Sequence, residues 1–297
     1  MTFQDFSTIY ADVPEHQKEM LRMFRAAHPY RELNINGKKW RYLAGGQGQE
    51  ALVFLPGGFL KGDMWFYVIR AMETTYRFLS PDAYTRMGFS GMESVCDAIS
   101  RMLDHEGIEK ATFIGMSAGG GLAQVFLQRY PNRVSNLVLS HCGMLRQDLA
   151  LSKRAERLRR VASILPAGVI KWIVKRQTTG QIPENSQWTA FEAAYFRETN
   201  SGVTKDMFVS FLAEAAVLRR DFIPKASVIE PWPGAVLILT SQDDDYSFNS
   251  LDELSAYYPR VQSHVFLEGG HHTLFFFPEQ YTKALQDFLS SFAGRVA

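Results

Sequence analysis

Cysteine is nearly missing from this chain, with only Cys96 and Cys142 among 297 residues. Two thiols make neither a disulfide framework nor a thiolate metal site, so no metal is expected and both read as small buried hydrophobes. An excess of one charge is missing as well. The 32 Lys and Arg offset the 31 Asp and Glu to a net +1, which leaves no electrostatic basis for a nucleic-acid partner. No uninterrupted apolar stretch approaches the roughly 18 residues of a membrane-crossing helix, and the N-terminus lacks a charged-then-apolar leader pattern. Stable membrane insertion is therefore not expected, and cytoplasmic residence is the default. Internal repeats and low-complexity tracts are absent too, which excludes solenoids and disordered arrays.

What is present is a chain that is 46% hydrophobic and long enough to bury a large core. Strand-like runs at 31–36, 38–43, 51–55, 77–82, 111–114, 134–139, 234–240 and 263–267 alternate with helical patterns. That alternation predicts an α/β fold with a mostly parallel central sheet and helices on both faces. Residues 1–30 form a helical extension in which Pro14 to Ala27 reads as a helix, proline fitting its first turn. Between 145 and 225 the alternation breaks into helical patterns with no clear strand. The expected organisation is an extension over 1–30, a core over 31–144 and 226–297, and a helical insertion over 145–225.

Gly115-Met116-Ser117-Ala118-Gly119 sits between the apolar run Ala111-Thr112-Phe113-Ile114 and the helix-like Gly121 to Tyr130, which stops at Pro131. A serine on a sharp strand-to-helix corner crowds the backbone, so glycine-sized residues are needed two positions either side while the hydroxyl projects above the sheet. The bare pattern arises by chance in roughly one chain in ten of this length; its setting makes Ser117 the candidate nucleophile.

A serine nucleophile needs a general base, and the base an orienting acid. His271 follows the last strand directly after Gly270 and is the candidate base, with its neighbour His272 expected to point elsewhere. The strand Gly234 to Thr240 runs into Ser241-Gln242-Asp243-Asp244-Asp245, where one aspartate can orient an imidazole and the others read as a solvated turn. Ser, then Asp, then His is the chain order used by one class of sheet hydrolases.

On these residues the chain resembles the α/β-hydrolase superfamily from about Arg31 to Phe292. Leu55-Pro56-Gly57-Gly58-Phe59 resembles the loop after the third strand, with proline in place of the usual histidine. The resemblance implies an oxyanion hole formed by the N–H groups of Gly58 and Ala118. Ser241-Gln242-Asp243-Asp244 aligns with the family's Gly-x-x-Asp turn, which favours Asp244 as the acid, with Asp243 as fallback and Asp148 third. Pro278 keeps the family's spacing from His271. Dehalogenases and epoxide hydrolases of this fold use an aspartate nucleophile, which the serine at 117 argues against.

The resemblance also makes the 145–225 insertion a cap over the site. Its first half is basic, with Lys153, Arg154, Arg157, Arg159, Arg160, Lys171, Lys175 and Arg176 beside apolar residues such as Leu165, Ile170 and Trp172. It is read either as an interfacial pair for anionic lipid or acidic substrate, or as a solvated face over a packed one, the latter carrying more weight. Phe59, Trp65, Met116, Met144 and Leu274 are the expected substrate pocket, with Met64, Met87 and Phe275 to Phe277 nearby. Arg86 and Lys61 are the basic residues on neighbouring loops.

The expected activity is hydrolysis of a carboxylic ester of a small, mainly apolar substrate through an acyl-enzyme, without a cofactor. Carbon–carbon bond hydrolases, lactonases, thioesterases and cofactor-free haloperoxidases share the triad, and a non-catalytic ligand-binding protein on this scaffold is the alternative of another class. A homodimer is compatible with the sequence.

Overall fold

The computed structural model describes residues 6–86, 91–177, 183 and 186–292. Eight strands form one sheet: β1 Arg31–Ile35, β2 Lys38–Gly46, β3 Ala51–Leu55, β4 Arg77–Pro81, β5 Ala111–Met116, β6 Val134–Ser140, β7 Val236–Ser241 and β8 Val261–Phe266. Their spatial order is β1-β2-β4-β3-β5-β6-β7-β8. Pairs β1/β2 and β2/β4 are antiparallel and all others parallel, as the alternation predicts.

The helices follow in chain order. They are α1 Phe6–Ile9, α2 Glu15–Ala27, α3 Phe66–Met72, α4 Met92–His105, α5 Ala118–Arg129, α6 Leu149–Ile164, α7 Ala167–Gln177, α8 Thr189–Ser201 and α9 Lys205–Asp221, then α10 Ala226–Ile229, α11 Asp245–Phe248, α12 Leu251–Tyr257, α13 Thr273–Phe276 and α14 Pro278–Ser290. Helices α6 to α9 lie between β6 and β7. No helix among the described residues is long and apolar enough to cross a membrane.

Strands β3, β5 and β7 are buried at every position, the pattern of parallel strands covered on both faces. Side chains alternate between the two layers. Leu52, Phe54, Ile114 and Met116 join one apolar cluster with residues of α2, α3, α8 and α14. Val53, Leu55 and Phe113 join the other, with α4, α5 and α12. Cys96 and Cys142 are both buried and unpaired, and burial pushes the Cys142 thiol up to about 12. A third apolar cluster belongs to the inserted helices, where Ala162, Ile170, Val203, Phe208 and Leu212 surround Phe59.

The N-terminal segment is tied down by a polar cluster rather than left as a loose preamble. Arg25 on α2 donates to Asp63 at 2.7 Å and to both carboxylate oxygens of Glu198 at 3.0 Å. Lys61 and the Tyr10 hydroxyl donate to the same Glu198, at 3.0 and 2.7 Å. One cluster thus joins α2, the loop after β3 and the inserted helix α8.

Candidate active site

A single residue, Ser117, turns β5 into α5, with φ 53° and ψ −117°. Holding a non-glycine residue there costs on the order of 1–3 kcal/mol. The turn is fixed by the Ser117 N–H donating to the Ser140 carbonyl at 2.9 Å and the Gly121 N–H donating to the Ser117 carbonyl at 3.1 Å. Contact also imposes the two motif glycines. A Cβ on Gly115 would stand 2.3 Å from the Gly119 carbonyl oxygen, and one on Gly119 would stand 2.1 Å from that of Leu55.

Parallel pairing puts the carboxyl end of β3 beside that of β5, so the Pro56–Phe59 loop meets the serine. A Cβ on Gly57 would lie 3.2 Å from Ser117 Cβ. Gly58 takes φ 50°, and its carbonyl accepts from the Thr85 hydroxyl at 2.6 Å. Among the described residues neither the Gly58 N–H nor the Ala118 N–H donates to a protein acceptor. The latter opens α5, where the helix dipole favours negative charge.

The three consecutive aspartates separate into three roles. Asp244, buried after β7, places Oδ2 at 2.8 Å from Nδ1 of His271 and accepts there from the Ser247 hydroxyl at 2.7 Å. A carboxylate only accepts, so the proton lies on Nδ1 and Nε2 is left as the basic nitrogen. Burial pushes the Asp244 carboxyl up, but the hydrogen bond and charge of His271 and the Ser247 hydroxyl outweigh it and hold the group at about 2. Asp243 instead accepts from the N–H groups of Gly269 and Gly270 at 3.1 and 2.9 Å, shaping the loop that carries the histidine. Asp245 begins the short helix α11 and is exposed. Asp148 caps α6, accepting from the Leu151 N–H at 2.8 Å. Among the described residues Ser117 Oγ and His271 share no hydrogen bond, a pairing that catalytic groups commonly close only in the reacting complex.

His272 does turn away, into the inserted helices. Its Nδ1 lies 2.8 Å from Glu192 Oε1, and its ring stacks on Phe196 with centroids 4.6 Å apart. A further histidine, His141 at the end of β6, was not singled out from the sequence. It is almost fully buried, has φ 48°, bonds Ser140 Oγ at 3.0 Å and Thr273 Oγ1 at 3.2 Å, and sits edge-on to His271 at 5.8 Å. Burial, aided by the neighbouring histidines, pushes it down to about 3, so it is a neutral spacer at ordinary pH. The available signal was a histidine immediately following a buried parallel strand.

The expected pocket residues stand elsewhere. A cleft of 200 Å³ opens against Ser117, lined among others by Tyr84, Cys142, Leu145, Phe211, Leu218 and Arg219. None of Phe59, Trp65, Met116, Met144 or Leu274 lines it; all five are buried. Trp65, Met116 and Leu274 belong to one apolar layer of the sheet and Met144 to the other, because large apolar side chains gain more from the core than from a wet cleft. Phe59 packs under the inserted helices, 5.4 Å from the ring of Phe211. Met87, together with the side chains of Lys175 and Arg176, lies outside the described residues. Arg86 donates to the carbonyls of Phe59 and Thr199, and Lys61 pairs with Glu198.

Four likenesses bear on this arrangement. The sequence profile of the alpha/beta hydrolase fold family matches residues 50–278. Among curated proteins, the dihydrolipoyllysine-residue acetyltransferase component of an acetoin cleaving system from Cupriavidus necator is 27% identical over 120 residues, 38% of this chain, and the match spans 32% of that protein's length. Among solved structures, a meta-cleavage product hydrolase from Pseudomonas fluorescens superposes with a TM-score of 0.68 at 21% identity, covering 88% of this chain and 97% of that one. A thermophilic esterase from Thermogutta terrifontis gives 0.70 at 18% identity, covering 88% and 98%. Both superpositions speak for the fold.

Proposed function

The chain belongs to the alpha/beta hydrolase fold family, and on this premise we propose that it is a hydrolase that cleaves carboxylic esters of small, mainly apolar substrates through a Ser117–Asp244–His271 triad. One observation carries the reading: a strained serine turn on β5 shares the carboxyl edge of the sheet with a His271–Asp244 pair 2.8 Å apart. In this reading His271 Nε2 takes the Ser117 hydroxyl proton as Oγ attacks the ester carbonyl. Asp244 holds the tautomer and stabilises the imidazolium. The N–H groups of Gly58 and Ala118 receive the oxyanion, each worth on the order of 3 kcal/mol at the transition state. His271 then returns the proton to the leaving alcohol and activates water against the acyl-enzyme.

Helices α6 to α9 are the cap in this scheme, and α9 supplies Phe211, Leu218 and Arg219 to the cleft. The 200 Å³ of that cleft favours a short acyl group, since pockets for larger ligands run from roughly 300 Å³ upward.

The test is hydrolysis of p-nitrophenyl esters from acetate to laurate by wild type, Ser117→Ala and His271→Ala. An optimum among the short esters and a fall of about a thousandfold or more in both variants are expected. Absence of turnover on every ester would sink the ester reading in favour of carbon–carbon cleavage or of ligand binding alone.

A further inference from the structure

Helix α6 carries two properties that its place in the fold does not use. The first is charge. Residues 149–164 hold five Lys and Arg and one Glu, a net +4 in a chain whose total is +1. Glu156 is taken by Arg159 and Arg160 at 2.7 and 3.0 Å. Among the described residues Lys153, Arg154 and Arg157 face no acid within ion-pair distance.

The second property is exposed apolar surface on the same helix. Leu158, Val161 and Ile164 are 49%, 50% and 81% exposed, and Leu151 is 38% exposed. Residues 151, 154, 158 and 161 fall at i, i+3, i+7 and i+10, one stripe of the helix surface. Arg154 is therefore set in an apolar line, flanked by Lys153 and Arg157. The opposite face is spoken for, since Ser152 and Ala162 are buried and the Ser152 hydroxyl donates to the Ala216 carbonyl of α9 at 2.8 Å. On α7, Trp172 adds an aromatic ring that is 57% exposed.

We propose that the outward face of α6, with the α6–α7 turn, docks this protein peripherally on an anionic lipid bilayer. Apolar side chains interleaved with lysine and arginine are the composition of helices lying in the headgroup boundary, where the acyl region takes the former and lipid phosphates the latter. A second copy of this chain is a poor occupant, because a two-fold contact would set +4 against +4. A nucleic-acid backbone would reward the charges but leave Leu158, Val161 and Ile164 uncovered. Docking would bring the inner face of α6, and with it the cleft-lining helix α9, to within one helix layer of the lipid. The inference does not depend on the ester reading, because its readout is binding.

The experiment is co-sedimentation of the full chain with extruded vesicles of phosphatidylcholine alone or with one third phosphatidylglycerol, at about 0.1 M and about 0.5 M salt. Binding to the anionic vesicles at low salt, lost at high salt and on neutral vesicles, is expected. Each basic side chain at such a surface strengthens binding by about fivefold, so K153Q/R154Q/R157Q should weaken it by about a hundredfold. L158S/V161S/I164S should weaken it by tenfold or more, while K39Q/K110Q, removing charge elsewhere, should leave it unchanged. Circular dichroism melts identify any variant that fails to fold, and the salt and lipid dependence of wild type stands without the variants. Equal binding to both vesicle types, no binding to either, unchanged binding by the α6 variants, or a dimer abolished by L158S/V161S/I164S would each overturn the proposal.

Discussion

Replacing Asp244 by asparagine makes permanent what acid would do to this carboxyl, so its consequences follow from the residue's own titration. Its ordinary value of 3.8 is lowered to about 2 in the fold, and a shift of that size corresponds to about 2 kcal/mol of stability held by the charged form. The depressed value fixes the sign. The contribution is complete above pH 3.8 and disappears as pH falls through 2. Asp244→Asn should therefore be less stable than wild type, by up to about 2 kcal/mol where His271 carries its proton, and approach it towards pH 2. With about 2.1 cal/mol/K of unfolding entropy per residue over 297 residues, the melting point falls by up to about 3 °C. Activity should fall much further. An amide whose NH2 faces His271 selects the tautomer with the proton on Nε2, and a nitrogen so protonated takes nothing from Ser117; about 10⁴ in kcat is the scale of that loss. Asp243→Asn gives the matched comparison. It weakens one of two bonds to the Gly269–Gly270 loop, at about 1–2 kcal/mol, and should keep kcat within about tenfold. Initial rates on a short p-nitrophenyl ester and thermal melts of both variants decide the matter. If Asp244→Asn keeps wild-type turnover, or if Asp243→Asn is the more damaging, the assignment of roles is wrong.

Two further outcomes follow from packing and burial. Gly119→Ala drives a Cβ to 2.1 Å from the Leu55 carbonyl oxygen, whereas a Cβ on Gly121 meets nothing within 4 Å. The first should cost about 1–3 kcal/mol or more and the second should be neutral or raise stability by about 0.5–1 kcal/mol, read from chemical denaturation. His141 is pushed down to about 3 in the fold from 6.5, so between those values the unfolded chain binds the extra proton and stability drops as pH falls. Wild type should lose about 2 kcal/mol more than His141→Gln between pH 7 and pH 5, measured by urea titration at each pH.

The sheet was legible because its central strands β3, β5 and β7 are largely apolar and buried at every position, and the serine turn because two glycines and a following helix pattern surround it. The acid needed three dimensions. Asp243, Asp244 and Asp245 have the same chemistry and adjacent numbers, and only the path of the chain after β7 turns one towards His271 and another towards the Gly269–Gly270 loop. The lining of the cleft beside Ser117 was not legible for a different reason. Trp65, Met116 and Leu274 are the residues a cleft and a core would both choose, and the core took them. The cleft is furnished instead by α9, whose inward face is set by its packing against α6, a long-range contact that helix periodicity alone does not orient. His141 was not legible because the contacts that place it against the base are distant in sequence, Thr273 lying 132 positions away.

Neighbouring histidines in one turn, His271 bound to Asp244 and His272 to Glu192, tie a loop of the sheet to helix α8. The inserted helices are accordingly not an interchangeable module. A segment grafted from a relative would bring its own residue to position 192 and leave an imidazole in the interior facing a stranger, and another to position 198, where Arg25, Lys61 and Tyr10 converge. Substitutions that reshape the cleft and spare these ties are those along α9, which lines it with Phe211, Leu218 and Arg219.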